Sequence, residues 1–155
     1  MYWKADKKTS AKIKELMAAE TRMVNAACRL SKSLGGHKTK IMSTRSAGTL
    51  RVVGFIFDDE SKADTAKLRK NKHGSFVPVK RASNRDLMTA FDGFVSNAEA
   101  DVIKLLGLPF ITGMHLTSIG IKLVGNTAYI ETSSRLKEHP KGCTRVSDLQ
   151  YEKAS

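Results

Sequence analysis

Leu50-Arg51-Val52-Val53-Gly54-Phe55-Ile56-Phe57 is the most strand-like run in the chain. β-Branched and aromatic residues at consecutive positions fit a strand covered on both faces, so the run reads as the buried centre of a sheet. Gly54 inside it points to a bulge or to another backbone passing close by. Asp58-Asp59-Glu60 ends the strand. Upstream, apolar residues recur at Ile13, Leu16, Met17, Met23, Val24, Ala27, Leu30 and Leu34, the spacing of one helix face. Thr9 or Ser10 is placed to cap this helix, and Gly35-Gly36 supplies a left-handed stop. Glu20 interrupts the stripe and falls at its margin, while Lys14, Arg22, Arg29 and Lys32 share the opposite face. A long helix beside a sheet is the beginning of an α+β fold.

Further from that strand the pattern is more broken. Met1 to Asp6 reads as an edge strand or a packed arm, with Tyr2 and Trp3 as a hydrophobic plug rather than base-stacking rings. His37 to Gly48 is polar and reads as a mobile loop. Ser61 to Lys70 reads as one or two helical turns or an ordered loop. Ser75 to Lys80 alternates around Phe76, Val77 and Val79 as a second strand, which Pro78 confines to an edge. Asn84 is placed to cap a short helix holding Leu87, Met88 and Phe91 and broken near Gly93. Ser96-Asn97-Ala98-Glu99 is a capping-box pattern. It opens a helix with Val102, Ile103, Leu105 and Leu106 on its apolar face, stopped by Gly107 and Pro109. Leu116 to Val124 and Thr127 to Thr132 flank Gly125-Asn126, a two-residue hairpin signal. Residues 134–155 read as a partly frayed polar tail. The expectation is one α+β domain over 1–155: a small antiparallel sheet packed against the long N-terminal helix and shorter helices.

Charge is distributed unevenly along the chain. The net charge is +12, but residues through Arg85 carry 20 Lys/Arg against 7 Asp/Glu, and the remainder 7 against 8. Lys67 to Arg85 holds seven Lys/Arg, His73 and Phe76, and no acid. Such a field concentrates anions and speeds their encounter without saying anything about fold. The residues expected to bind a polyanion are Lys67, Arg69, Lys70, Lys72, His73, Lys80, Arg81 and Arg85, with the Gly74-Ser75 amides as added donors. Lys12, Lys14, Lys38, Lys40 and Arg45 extend the field. Nucleic acid is the first expected partner. The alternative is an inhibitor or adaptor that docks its basic face on an acidic host protein. No helix-turn-helix, zinc-finger or RNP-type pattern is present, so base-sequence readout is not expected.

Catalytic patterns are weak by comparison. Gly35-Gly36-His37-Lys38-Thr39 has a phosphate-loop composition, but it follows a helix and lacks the G-x-x-x-x-G-K-[ST] spacing. His139 and Cys143 have workable metal-ligand spacing without a second pair; Cys28, His37, His73 and His115 are scattered. Asp58, Asp59, Glu60 and Lys62 have the composition of a metal-dependent nuclease, yet neighbouring strand residues point to opposite faces, so a charged turn is the better reading. No nucleophile elbow or local catalytic cysteine pattern appears. No catalytic residue, metal or cofactor is therefore expected. No apolar run approaches the ~18 residues of a membrane span, no secretory signal opens the chain, and the two cysteines read as reduced thiols of a cytoplasmic protein.

The opening Met1 to Thr9, the strand Val52 to Phe57 and the segment Lys70-Asn71-Lys72-His73-Gly74 resemble short, uncharacterised bacteriophage or prophage proteins, over roughly the first half of the chain. The resemblance implies a phage accessory role in a bacterial host cytoplasm. It implies no catalytic residue.

Overall fold

The helix stripe and the aromatic strand both form, and the fold is α+β. The computed structural model describes residues 1–65, 67–109 and 119–154. Helix α1 (Lys7–Ser33) is the longest element. Its cap is Asp6, not Thr9 or Ser10: Asp6 Oδ1 accepts the Thr9 N–H at 2.8 Å. Ser10 is buried instead, donating to the Ala5 carbonyl and accepting the Ala128 N–H. The expected glycine stop is present. Gly36 N–H bonds the Ser31 carbonyl and Gly35 N–H the Lys32 carbonyl, with Gly35 at φ 87°, a complete Schellman motif.

In place of one small sheet, the described residues form two, and the chain divides into two compact units. Met1–Ala19 and Asn97–Ser155 form the first. Here β1 (Tyr2–Ala5) is an inner strand, not an edge. It pairs antiparallel with β8 (Thr127–Thr132) on one side and β9 (Cys143–Val146) on the other, and β7 (Ile119–Val124) lies outside β8. Strand alternation turns Trp3 and Ala5 inward, onto Ile13 of α1 and onto Val102, Ile103 and Leu106 of or just after α4 (Ala98–Leu105). Trp3 is the expected plug: its indole N–H donates to Thr132 Oγ1 at 2.9 Å. Gly125, φ 60°, takes the first position of the β7–β8 turn, as a II′ hairpin requires. The proposed beginning of that strand at 116–118 lies outside the described residues. Asn97, one residue after Ser96, holds the N-cap position of α4. Residues 134–155, expected to fray, contribute β9 and α5 (Asp148–Lys153). Tyr151 of α5 stacks on Tyr2 at 4.3 Å, a contact that a count of aliphatic anchors overlooks.

Glu20–Ser96 form the second unit. Its sheet runs β2 (Ile41–Ser46), β3 (Thr49–Phe55), β5 (Phe76–Pro78), β4 (Leu68–Lys70), and β6 (Val95–Ser96) also pairs with β3. The segment expected as a mobile loop is therefore β2, joined to β3 by Ala47-Gly48, both at positive φ. Gly54 answers to both halves of its expectation. The β2–β3 register shifts beside its partner Met42, and a Cβ at Gly54 would collide with Ser75. Ser61 to Lys70 splits into α2 (Ser61–Thr65) and β4.

β5 is an inner strand despite Pro78. Val79 N–H donates to the Lys67 carbonyl, so alternation points the Pro78 nitrogen away from β4, towards the side where β3 pairs only through Phe55 and Phe76. The missing donor costs nothing there. Phe55, Phe57, Leu68 and Phe76 form the core with Leu30 of α1, Leu34 just after it, and Leu87 and Phe91 of α3 (Arg85–Asp92). Burying each aromatic contributes about 1.5–3 kcal/mol. Glu20 is buried rather than marginal, its carboxylate receiving both Arg45 guanidinium nitrogens at 3.2 Å.

Candidate polyanion-binding surface

Four of the eight proposed residues, Arg69, Lys70, Lys72 and His73, lie on the β4–β5 hairpin or in its turn, and Lys67, Lys80, Arg81 and Arg85 flank its open end. Its turn, Asn71-Lys72-His73-Gly74, is built around one amide. Asn71 Oδ1 accepts the backbone N–H groups of His73 (2.9 Å) and Ser75 (3.1 Å), while Nδ2 donates to Ser75 Oγ (2.9 Å) and to the Val53 carbonyl (3.1 Å). Gly74 at φ 80° closes the turn. Every polar atom of the Asn71 side chain is engaged, so Lys72 and His73, both exposed, project from a fixed backbone.

The other end of the hairpin is pinned by Asn84. Its buried side chain does not cap α3; Nδ2 donates to the carbonyls of Lys67 (3.1 Å) and Val79 (3.0 Å). That bond brings Lys67, Lys80, Arg81 and Arg85 to one end. Arg85 opens α3 at the helix terminus that favours anions over cations, so helix stability does not account for it. Arg69 lies between the two ends, beside Val77. The cations thus form two groups, and Lys67 of one lies five residues from Lys72 of the other across β4, about 17 Å at ~3.3 Å per residue.

Lys70 differs from the rest, since its ammonium pairs with Glu60 at 3.0 Å. Among the described residues, Lys67, Arg69, Lys72, Lys80, Arg81 and Arg85 pair with no carboxylate, and all six are exposed. The unit that holds them carries 15 Lys/Arg against 7 Asp/Glu. The wider field is thinner than expected: Arg45 is spent on Glu20, and Lys14, in the first unit, donates to Asn126. Lys38 and Lys40 stay exposed.

A shallow depression of about 180 Å³ lies between β4–β5 and α3. Val77, Pro78, Met88 and Phe91 supply its apolar lining, and Arg69, Lys80 and Asp92 its charges. Arg69 and Lys80 are legible in the sequence but this setting is not, because Met88, Phe91 and Asp92 reach it from a different element. Asn71 is the further functional residue, and its signal is local: an asparagine opening a turn that closes on Gly74 bonds its own backbone two residues on.

The acids after β3 are dispersed among structural partners. Asp59 Oδ1 accepts the Ser61 N–H and hydroxyl, which hold its carboxyl below the usual range. Glu60 pairs with Lys70, and Asp58 Oδ2 sits 3.9 Å from His37 Nε2. Each goes its own way, which is the charged-turn arrangement. His139 bonds the Cys143 carbonyl through Nε2 at 2.7 Å and packs edge-on to Trp3, so its ring is committed to structure. His115 lies outside the described residues. No helix among the described residues is long and apolar enough to cross a membrane. No protein-family model, curated protein or solved structure matches the chain.

Proposed function

We propose that this protein binds nucleic acid through the β4–β5 hairpin and the turn that follows it, without catalysing a reaction. The supporting observation is a set of six exposed cations, free of carboxylate partners among the described residues, on and beside a hairpin fastened at both ends by asparagine side chains. A solvated lysine-rich surface needs no such fastening. Held at ~17 Å, the two groups span about five phosphates at ~3.4 Å of axial rise per strand. A bacterial cytoplasm and a phage accessory role belong to the proposal through the resemblance of the first half of the chain.

The test is fluorescence anisotropy with labelled DNA and RNA across a salt series. Four to six phosphate contacts give log K against log salt a slope of roughly −4 to −5 on duplex DNA. Lys72→Ala and Arg81→Ala should each reduce that slope by about 1. Negligible binding at low salt, with retention of a stoichiometric acidic protein from nuclease-treated bacterial lysate, would replace this reading with the adaptor one.

A further inference from the structure

The depression beside the hairpin bears on what kind of nucleic acid is bound. At about 180 Å³ it is smaller than the ~300–1,000 Å³ of sites that enclose whole small molecules. It suits one flat group belonging to a larger ligand. Its apolar lining comes from Val77 and Pro78 of β5 and from Met88 and Phe91 of α3, while Arg69 and Lys80 bring positive charge.

Asp92 is the informative residue. It is the last residue of α3, where the helix dipole disfavours a carboxylate, so the helix gains nothing from it. It shares the depression with Arg69 and Lys80, yet among the described residues it forms an ion pair with neither. A surface evolved only for an acidic peptide would place like charge against its own ligand here. A strand of nucleic acid offers both complements at once: phosphates for the cations, and base N–H groups for a carboxylate to accept.

From this we infer that the depression receives one unpaired base of a single strand. Arg69 and Lys80 hold the flanking phosphates, Met88, Phe91 and Val77 cover the base, and Asp92 accepts hydrogen bonds from its Watson–Crick edge. Duplex DNA keeps that edge paired and cannot present it. Guanine, with adjacent N1–H and N2–H donors matching two carboxylate oxygens, is the preferred base; thymine, with a single imino N–H, is the poorest. The inference rests on the nucleic-acid reading above and adds strandedness and base preference to it.

The experiment compares a short oligothymidylate, the same strand with one central guanine, and a duplex of equal length, against wild type, Asp92→Asn and Met88→Ala. Phe91 is left alone because its ring packs on Phe55. Asp92→Asn removes an unfavourable helix-end charge, so folding is retained. Wild type should prefer the guanine strand by roughly tenfold, the discrimination of one bidentate contact. Asp92→Asn should bring that ratio near unity while leaving oligothymidylate binding the same or tighter. Met88→Ala should weaken single strands more than duplex. Strong salt-dependent binding with no base preference, or a preference unchanged by Asp92→Asn, would overturn this inference and leave the proposed function standing. Absence of any nucleic-acid binding would overturn both.

Discussion

The Asn71 side chain donates to the Val53 carbonyl at 3.1 Å and so ties the β4–β5 turn to β3, a strand with which β4 does not pair. The same amide bonds Ser75 Oγ and receives two backbone N–H groups. Asn71→Asp keeps the acceptor and loses both donations: the Ser75 hydroxyl can turn to donate to the carboxylate, but the Val53 carbonyl is left without its partner and faces a carboxylate oxygen. Such losses cost about 1–3 kcal/mol. A lowered urea midpoint should come with weaker polyanion binding, because Lys72 and His73 lose their fixed backbone. Unchanged stability would show that the turn does not depend on this amide.

Gly54 and Ser75 are a second point of contact between these strands. A Cβ at Gly54 would fall on the Ser75 hydroxyl and Cβ, with the Phe76 carbonyl 3.2 Å away. Gly54→Ala should therefore cost about 1–3 kcal/mol by overpacking. Ser75→Gly in the same chain should recover part of that loss in chemical denaturation, since it removes the atoms in conflict. If the double variant is no better than the single, the strain lies in the β3 backbone itself.

Two kinds of signal were readable in the residues and two were not. The α1 stripe, its Gly35-Gly36 stop and the strand around Phe55 are local, and local periodicity is enough to find them. β2 was hidden because only Ile41 and Met42 carry apolar side chains, and Ser43 to Ser46 face water. Its turn lacks the Asn-Gly signal; Ala47 occupies a left-handed position at φ 53°. β1 looked like an edge because it is four residues long and its second partner, β9, lies about 140 residues away. The basic residues of the candidate surface were legible as a run. What their order along the chain did not reveal is that Asn71 and Asn84 hold the hairpin, that Glu60 occupies Lys70, or that Asp92 joins the cations.

The same Ala47 yields a stabilising change. A non-glycine residue in the left-handed region carries roughly 1–2 kcal/mol of steric strain. Asparagine tolerates that region, and Asn-Gly is the preferred pair for a two-residue hairpin with both φ values positive. Ala47→Asn should raise stability by about 0.5–1 kcal/mol, read as a higher thermal midpoint without change in polyanion affinity. Ala47→Val, with a branched Cβ in the same position, should lower it.

Cys143 sets an alkaline limit. Burial pushes its thiol from the ordinary 9.0 up to about 11, and the Asp6 carboxylate acts in the same direction. An unfolded chain ionises this thiol near pH 9, whereas the folded one retains the proton to about 11. The unfolded state therefore binds fewer protons in that window, and stability falls with rising pH. The contribution is whole below pH 9 and is lost as pH climbs towards 11. Tyr151, raised by burial and then by Glu131 and Tyr2, adds loss of the same sign, so wild type alone cannot isolate the thiol. Cys143→Ala can. Its urea midpoint should decline less than that of wild type between pH 8.5 and pH 10.5, with the difference between the two curves opening only above about pH 9. Parallel curves across that range would mean that the Cys143 thiol meets water as freely in the folded protein as in the unfolded one.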